Sequence, residues 1–278
     1  MESLPLELHS LIAELVCDSP FGRDSIRSLS LTNSHFRAIA APLLFHTLVI
    51  LTQEDLFRAL WQLEPSKYTP RKYTRRLFIG PSISLTEPAF ILHLLRLIAP
   101  DLRDLVAILP SPSTSSALLG AIFRIRFPHL KSLTVDGFYP LPRPGFFPAL
   151  THLHLAGNCS PIGLTAALSL ACPKLTRFRV SGLKGAPAFA SELSGALKEN
   201  AGDSFLQRLD SVSQDQVAAL KDAQMRWTLA TLEQAVEIKR HEAEEKGKSF
   251  PQVEFSEEKE KGLDVNAVKA AWLAMGCP

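Results

Sequence analysis

Apolar residues at the start of the chain recur at helical spacing. Leu4, Leu8, Ile12 and Leu15 fall on one side of a helix, and Pro5 suits its first turn. Asp18-Ser-Pro-Phe-Gly22 is dense in turn formers and ends it. Asp24 or Ser25 can cap a second helix carrying Ile26 and Leu29. Asn33 or Ser34 can cap a third, which holds Phe36, Ile39 and Ala40 and stops near Pro42. Three short helices in under fifty residues make a small core, so this module is expected to pack on the rest of the chain or on a partner.

Beyond it the pattern changes to short strands in a repeating frame. Pro128-x-Leu130-x-x-Leu133-x-Val135, Pro148-x-Leu150-x-x-Leu153-x-Leu155 and Pro173-x-Leu175-x-x-Phe178-x-Val180 are in phase. The stretch from Leu150 to Asn158 completes Leu-x-x-Leu-x-Leu-x-x-Asn, the leucine-rich-repeat signature. Weaker copies place key residues at Leu48, Leu77, Leu105 and Leu209. Helix-like spacers lie between strands at Glu87–Ile98, Ser115–Phe123, Pro161–Leu170 and Pro187–Lys198, while Phe138–Gly145 holds too many prolines for a helix. The expectation is an α/β chain with parallel strands inside and helices outside, stacked as an irregular leucine-rich-repeat-like solenoid. Ser213-x-x-Gln216 reads as a capping box opening a long helix, Phe255–Gly262 as a charged linker, and Asp264 as the cap of a short terminal helix with Trp272 on its buried side.

Composition narrows the function classes. Hydrophobic content of 46% and charge of 21% in 278 residues are ordinary globular values. No apolar run is long enough to span a bilayer and no secretory leader precedes the first helix, so an intracellular chain (cytoplasm, nucleus or both) with no membrane partner is expected. Cys17, Cys159, Cys172 and Cys277 lack metal-site spacing and read as reduced thiols. The net charge of +2 divides unevenly. Residues 51–182 carry fifteen Lys/Arg against seven Asp/Glu, but the excess is spread out and does not form a nucleic-acid footprint. No nucleophile elbow, zinc-protease or dinucleotide motif occurs, so no catalytic residue, metal site or cofactor is assigned. His152-x-His154 puts two imidazoles on one strand face but has no third ligand at suitable spacing.

The order Leu4-Pro5-x-Glu7-Leu8-x-x-x-Ile12-x-x-Leu15, then Leu29-x-Leu31 and Ser34-His35-Phe36, resembles an F-box, the helical module that docks on Skp1. The resemblance covers about the first fifty residues. It departs from the family pattern in the longer, glycine-containing loop at Ser19–Asp24. It implies that Leu4, Pro5, Leu8 and Ile12 contribute to a Skp1-binding surface, with Leu29, Leu31 and Phe36 shared between surface and packing. Cullin and RING subunits would follow through Skp1. The domains expected are an F-box-like module over 1–46, the solenoid over 47–212 and a helical, charged C-terminal extension over 213–278.

Strand alternation also says which residues face a target. If Leu133 and Val135 point inward, the outward columns are Thr47, Arg76, Asp104, Ser132, His152, Arg177 and Arg208, and beside them Val49, Phe78, Val106, Thr134, His154, Arg179 and Asp210. Arg76, Phe78, Asp104, His152, His154, Arg177, Arg179 and Arg208 are the target-binding candidates on the concave repeat face. The resulting expectation is a non-enzymatic substrate-recognition adaptor of an SCF-type (Skp1-cullin-F-box) E3 ubiquitin ligase, which holds an unknown target protein. The alternatives are a repeat-type interaction scaffold outside any ubiquitin ligase, or a hydrolase on an α/β scaffold.

Overall fold

The computed structural model describes residues 5–17, 19, 22–63, 74–80, 88–109, 112–157, 162–180, 192, 211–216, 252–257 and 264–275. It is an α/β chain whose paired strands all run parallel. Two compact units divide it, one made of residues 1–107 and 264–278, the other of residues 108–263.

The first unit opens with α1 (Leu6–Cys17), α2 (Gly22–Ser30) and α3 (Ser34–Leu43). Small residues let these helices approach, so that Ala13, Cys17, Ile26, Ala40 and Leu43 form their shared core, flanked by Val16, Leu29 and Ile39. Gly22 joins α1 to α2 at a distance no side chain tolerates, since a Cβ there would lie 2.3 Å from the Cys17 carbonyl oxygen. Gly22 thus closes against the end of α1, and α2 starts before the expected caps. Asn33 does cap α3, its side chain accepting from the Phe36 amide at 2.9 Å. That helix passes through Pro42 and ends at Leu43.

Next come β1 (Thr47–Ile50), α4 (Gln53–Leu63), β2 (Arg76–Ile79), α5 (Pro88–Ile98) and β3 (Asp104–Ile108). Helix α4 has no counterpart among the expected spacers. Its start is a reciprocal cap, in which the Thr52 amide donates to the Asp55 carboxylate at 3.0 Å and the Asp55 amide donates to Thr52 Oγ1 at 3.2 Å. Burial alone would raise the Asp55 pKa, but these hydrogen bonds and nearby Arg58 outweigh it and leave the carboxyl below its ordinary value.

The second unit contains α6 (Pro112–Ile122), β4 (Ser132–Asp136), β5 (His152–Ala156), α7 (Leu164–Ala171) and β6 (Arg177–Val180). Phe127 and Phe147 stack at 5.9 Å beneath the proline-rich connection, which forms no helix. β7 (Ser211–Gln216) and β8 (Gln252–Glu257) extend the ladder from β6. These two strands correct the expected helix start at Ser213-x-x-Gln216 and the expected linker from Phe255. Pairing with a sheet edge satisfies their backbone groups, which outweighs the local capping signal. The expected helix at Pro187–Lys198 lies outside the described residues except for Glu192.

The register follows the sequence frame. Leu48, Leu77 and Leu105 align in one unit, as do Leu133, Leu153 and Phe178 in the other. Beyond Phe178 the aligned residue is Val212, three positions past the expected Leu209. One backbone device recurs two residues before the key leucine. The His46 and Arg75 carbonyls, and likewise those of Lys131 and Thr151, each accept two consecutive amides from the next strand, at 2.7–3.0 Å. The last element, α8 (Val265–Ala274), belongs to the first unit, and the Asp264 carboxylate caps it by accepting from the amides of Asn266 and Ala267.

Candidate interaction surfaces

A two-sided helix forms the first surface. On α1, Ala13 and Cys17 point into the helical core, yet Leu8, Leu11, Ile12 and Leu15 are 42%, 51%, 49% and 64% exposed. Their i, i+3, i+4, i+7 spacing makes one continuous apolar stripe turned to solvent. Water contact with four such side chains is unfavourable at roughly 25 cal/mol per Å², and stripes of this kind mark places where something docks. The apolar spacing at Leu8, Ile12 and Leu15 therefore describes the outer face, whereas the inner face is built from residues too small to stand out in the sequence. Pro5 is also exposed, and Leu31, between α2 and α3, is 72% exposed. Leu29 and Phe36 are half-buried. Phe36 packs against His9 and His35, whose rings meet at 3.1 Å between Nδ1 and Nε2. Leu4 lies outside the described residues.

The face of β2 and β3 is the second surface, and it is covered. Arg76, Phe78 and Asp104, expected to be open, are 4%, 0% and 4% exposed. Helix α8 lies over them. The Arg76 guanidinium sits 4.3 Å from the centroid of the Trp272 ring, and its Nη2 donates to the Trp272 carbonyl oxygen. Its Nε faces Asp104 Oδ2 at 3.4 Å. Phe78 and Trp272 meet with centroids 5.5 Å apart. Arg76 thus addresses a helix end in three ways: a cation over the ring, a donor to a carbonyl left orphaned in the last turn, and a positive charge at the negative end of the dipole. Trp272 Nε1 is buried without a hydrogen-bond partner among the described residues. The sequence did mark Trp272 as buried, but no local pattern links it to Arg76, 196 positions away.

The face of β4, β5 and β6 is the third surface, and here alternation survives. Leu133, Leu153 and Phe178 are buried, while His152, His154 and Arg179 are half-buried and Arg177 is exposed. Register sets His152 opposite Arg177 and His154 opposite Arg179, so the two columns meet as expected. Thr151 Oγ1 lies 2.9 Å from His152 Nδ1. Asp136 ends the same face, and burial raises its carboxyl above the ordinary range. Arg208 lies outside the described residues, and the strand residue opposite Arg177 is Ser211.

An open cleft of about 650 Å³ beside β1 and α4 has Arg27, Asp24, Asp55 and Arg58 on its walls and, among the described residues, no Ser, Cys or His. Among the described residues, no group of three or more His, Cys, Asp or Glu could hold a metal ion, and no helix is long and apolar enough to cross a membrane. Cys17 and Cys172 are buried thiols, and burial pushes that of Cys172 up to about 12, far from the thiolate a nucleophile needs. No protein-family model, no curated protein and no solved structure matches the chain.

Proposed function

We propose that the chain is a substrate-recognition adaptor of an SCF-type E3 ubiquitin ligase, binding Skp1 through its N-terminal helices and a target protein through its strand faces. One observation carries this reading: the apolar stripe of Leu8, Leu11, Ile12 and Leu15, turned to solvent on a helix whose opposite side is already packed. Helices that served only to cap the strands would turn their large apolar residues inward. Leu8 and Ile12 are also positions that the F-box resemblance assigns to Skp1. The recurring double acceptance at His46, Arg75, Lys131 and Thr151 supports a solenoid of the leucine-rich-repeat kind. The His and Arg columns on β5 and β6 suit an acidic or phosphorylated target. Catalysis would then be by proximity, the adaptor raising the target's effective concentration at a ubiquitin-loaded enzyme.

Co-purification with Skp1 tests the reading. Wild type is expected to form a stable complex, and the Leu8→Asp, Ile12→Asp double variant to lose at least about a hundredfold in affinity. Because both side chains face solvent, the variant should melt within a few degrees of wild type. If wild type fails to bind, or the variant binds equally, the chain is an interaction scaffold outside any ubiquitin ligase.

A further inference from the structure

We infer that the face of β2 and β3 bearing Arg76, Phe78 and Asp104 is a recognition site for an aromatic residue in the last turn of a partner helix, and that α8 occupies it as a displaceable internal ligand. The inference deepens the target-binding half of the function proposed above and does not depend on Skp1.

In the sequence frame this face is in phase with the His and Arg columns of β5 and β6, so it is the same kind of strand surface. What differs is its cover. Asp104 holds Arg76 through Nε from the sheet side, which leaves the guanidinium plane and its outer nitrogen presented outward. On that side it meets the ring face and the last-turn carbonyl of one residue of α8, Trp272. The site thus reads an aromatic together with a helix C-terminus, and a helix from another protein can present both.

Helix α8 is built as a weak occupant. Of its ten residues only Trp272 is fully buried, with Val265, Val268 and Leu273 half-buried around it, so one main anchor holds it. A helix this short has little stability of its own, and its order depends on that anchor. Burying Trp272 also leaves its indole N–H without a partner among the described residues, a cost that a phenylalanine-bearing helix avoids. A target of this chemistry would displace α8, and the site would stay shut until one arrived.

A fluorescein-labelled peptide copying residues 264–278, titrated into the full-length chain, tests the inference. The full-length Trp272→Ala variant is expected to bind it at least about tenfold more tightly than wild type, which must first release its own helix. The same peptide carrying Trp272→Ala should not bind. Equal binding to wild type and variant, or no binding to a variant that circular dichroism shows to be folded, overturns the inference. Should the variant fail to fold, hydrogen exchange on wild type decides. Amides of α8 exchanging about a hundredfold faster than those of β2 support a displaceable helix, and exchange at the same rate makes α8 an integral part of the unit and overturns the inference. Loss of Skp1 binding would leave all these outcomes unchanged, so the two readings fail separately.

Discussion

Gly157 and Asp136 show how much one residue settles at the end of a strand. Gly157 sits at φ +82°, and a Cβ there would lie 2.6 Å from Asp136 Oδ1 and 2.7 Å from the Gly137 amide nitrogen. Gly157→Ala therefore meets both strain and a clash, and is expected to cost about 1–3 kcal/mol in chemical denaturation. Asp136 has its carboxyl raised by burial, so its ionised form opposes folding above the ordinary carboxylate range. Asp136→Asn should raise the melting temperature at pH 7. That gain should begin to shrink as pH falls through the raised folded value and vanish below the ordinary carboxylate value, where the folded and unfolded chains are both neutral. A gain that persists in acid would show that burial of the charge is not its source. Neither feature follows from residue type alone: the sequence marks Asn158 as the end of the repeat signature, but not which side chain closes over the glycine before it.

Among the elements, α7 and α1 illustrate opposite limits of what a pattern reveals. Gly163 precedes α7 and offers no side chain to cap it. Glu192 supplies the cap from 29 residues away, accepting from the Gly163 amide at 2.7 Å, the Thr165 amide at 3.0 Å and the Thr165 hydroxyl. Its negative charge also suits the helix N-terminus. Glu192→Ala is expected to cost about 1 kcal/mol, read as a lower midpoint in urea, with Glu192→Gln recovering part of it. A neutral Glu192→Ala would mean that solvent caps the helix equally well. No local signature announces a cap so distant, whereas the caps of α3 and α8 were legible because Asn33 and Asp264 stand beside the helices they serve. Helix α1 was legible as a helix, but its two faces were not distinguishable. Large residues fill one side and small ones the other, and helical spacing alone does not say that the small side makes the core.

At the scale of the whole molecule, the strand frame was readable and the return of the C-terminus was not. Leu48, Leu77 and Leu105, like Leu133, Leu153 and Phe178, advertise their register because alternation ties each to a core face. The contact from Arg76 to Trp272 spans 196 positions and leaves only a buried tryptophan as its sign. Such a long closure is expected to form after the local strands. Trp272→Ala should therefore change refolding less than about twofold while speeding the release of α8, as followed by stopped-flow and hydrogen exchange. Refolding slowed in proportion to lost stability would place α8 in the folding nucleus instead. The doubly accepting carbonyls of His46, Arg75, Lys131 and Thr151 have a consequence for how this chain can vary. They sit at one fixed offset from the key leucine, although the key residues Leu77 and Leu105 are 28 positions apart and Leu133 and Leu153 only 20. Length between strands is thus free, and phase within them is not. Residues added at the exposed Arg143–Gly145 should pass unnoticed, while one residue deleted between Lys131 and Leu133 would exchange the two faces of a strand and turn its leucines to water.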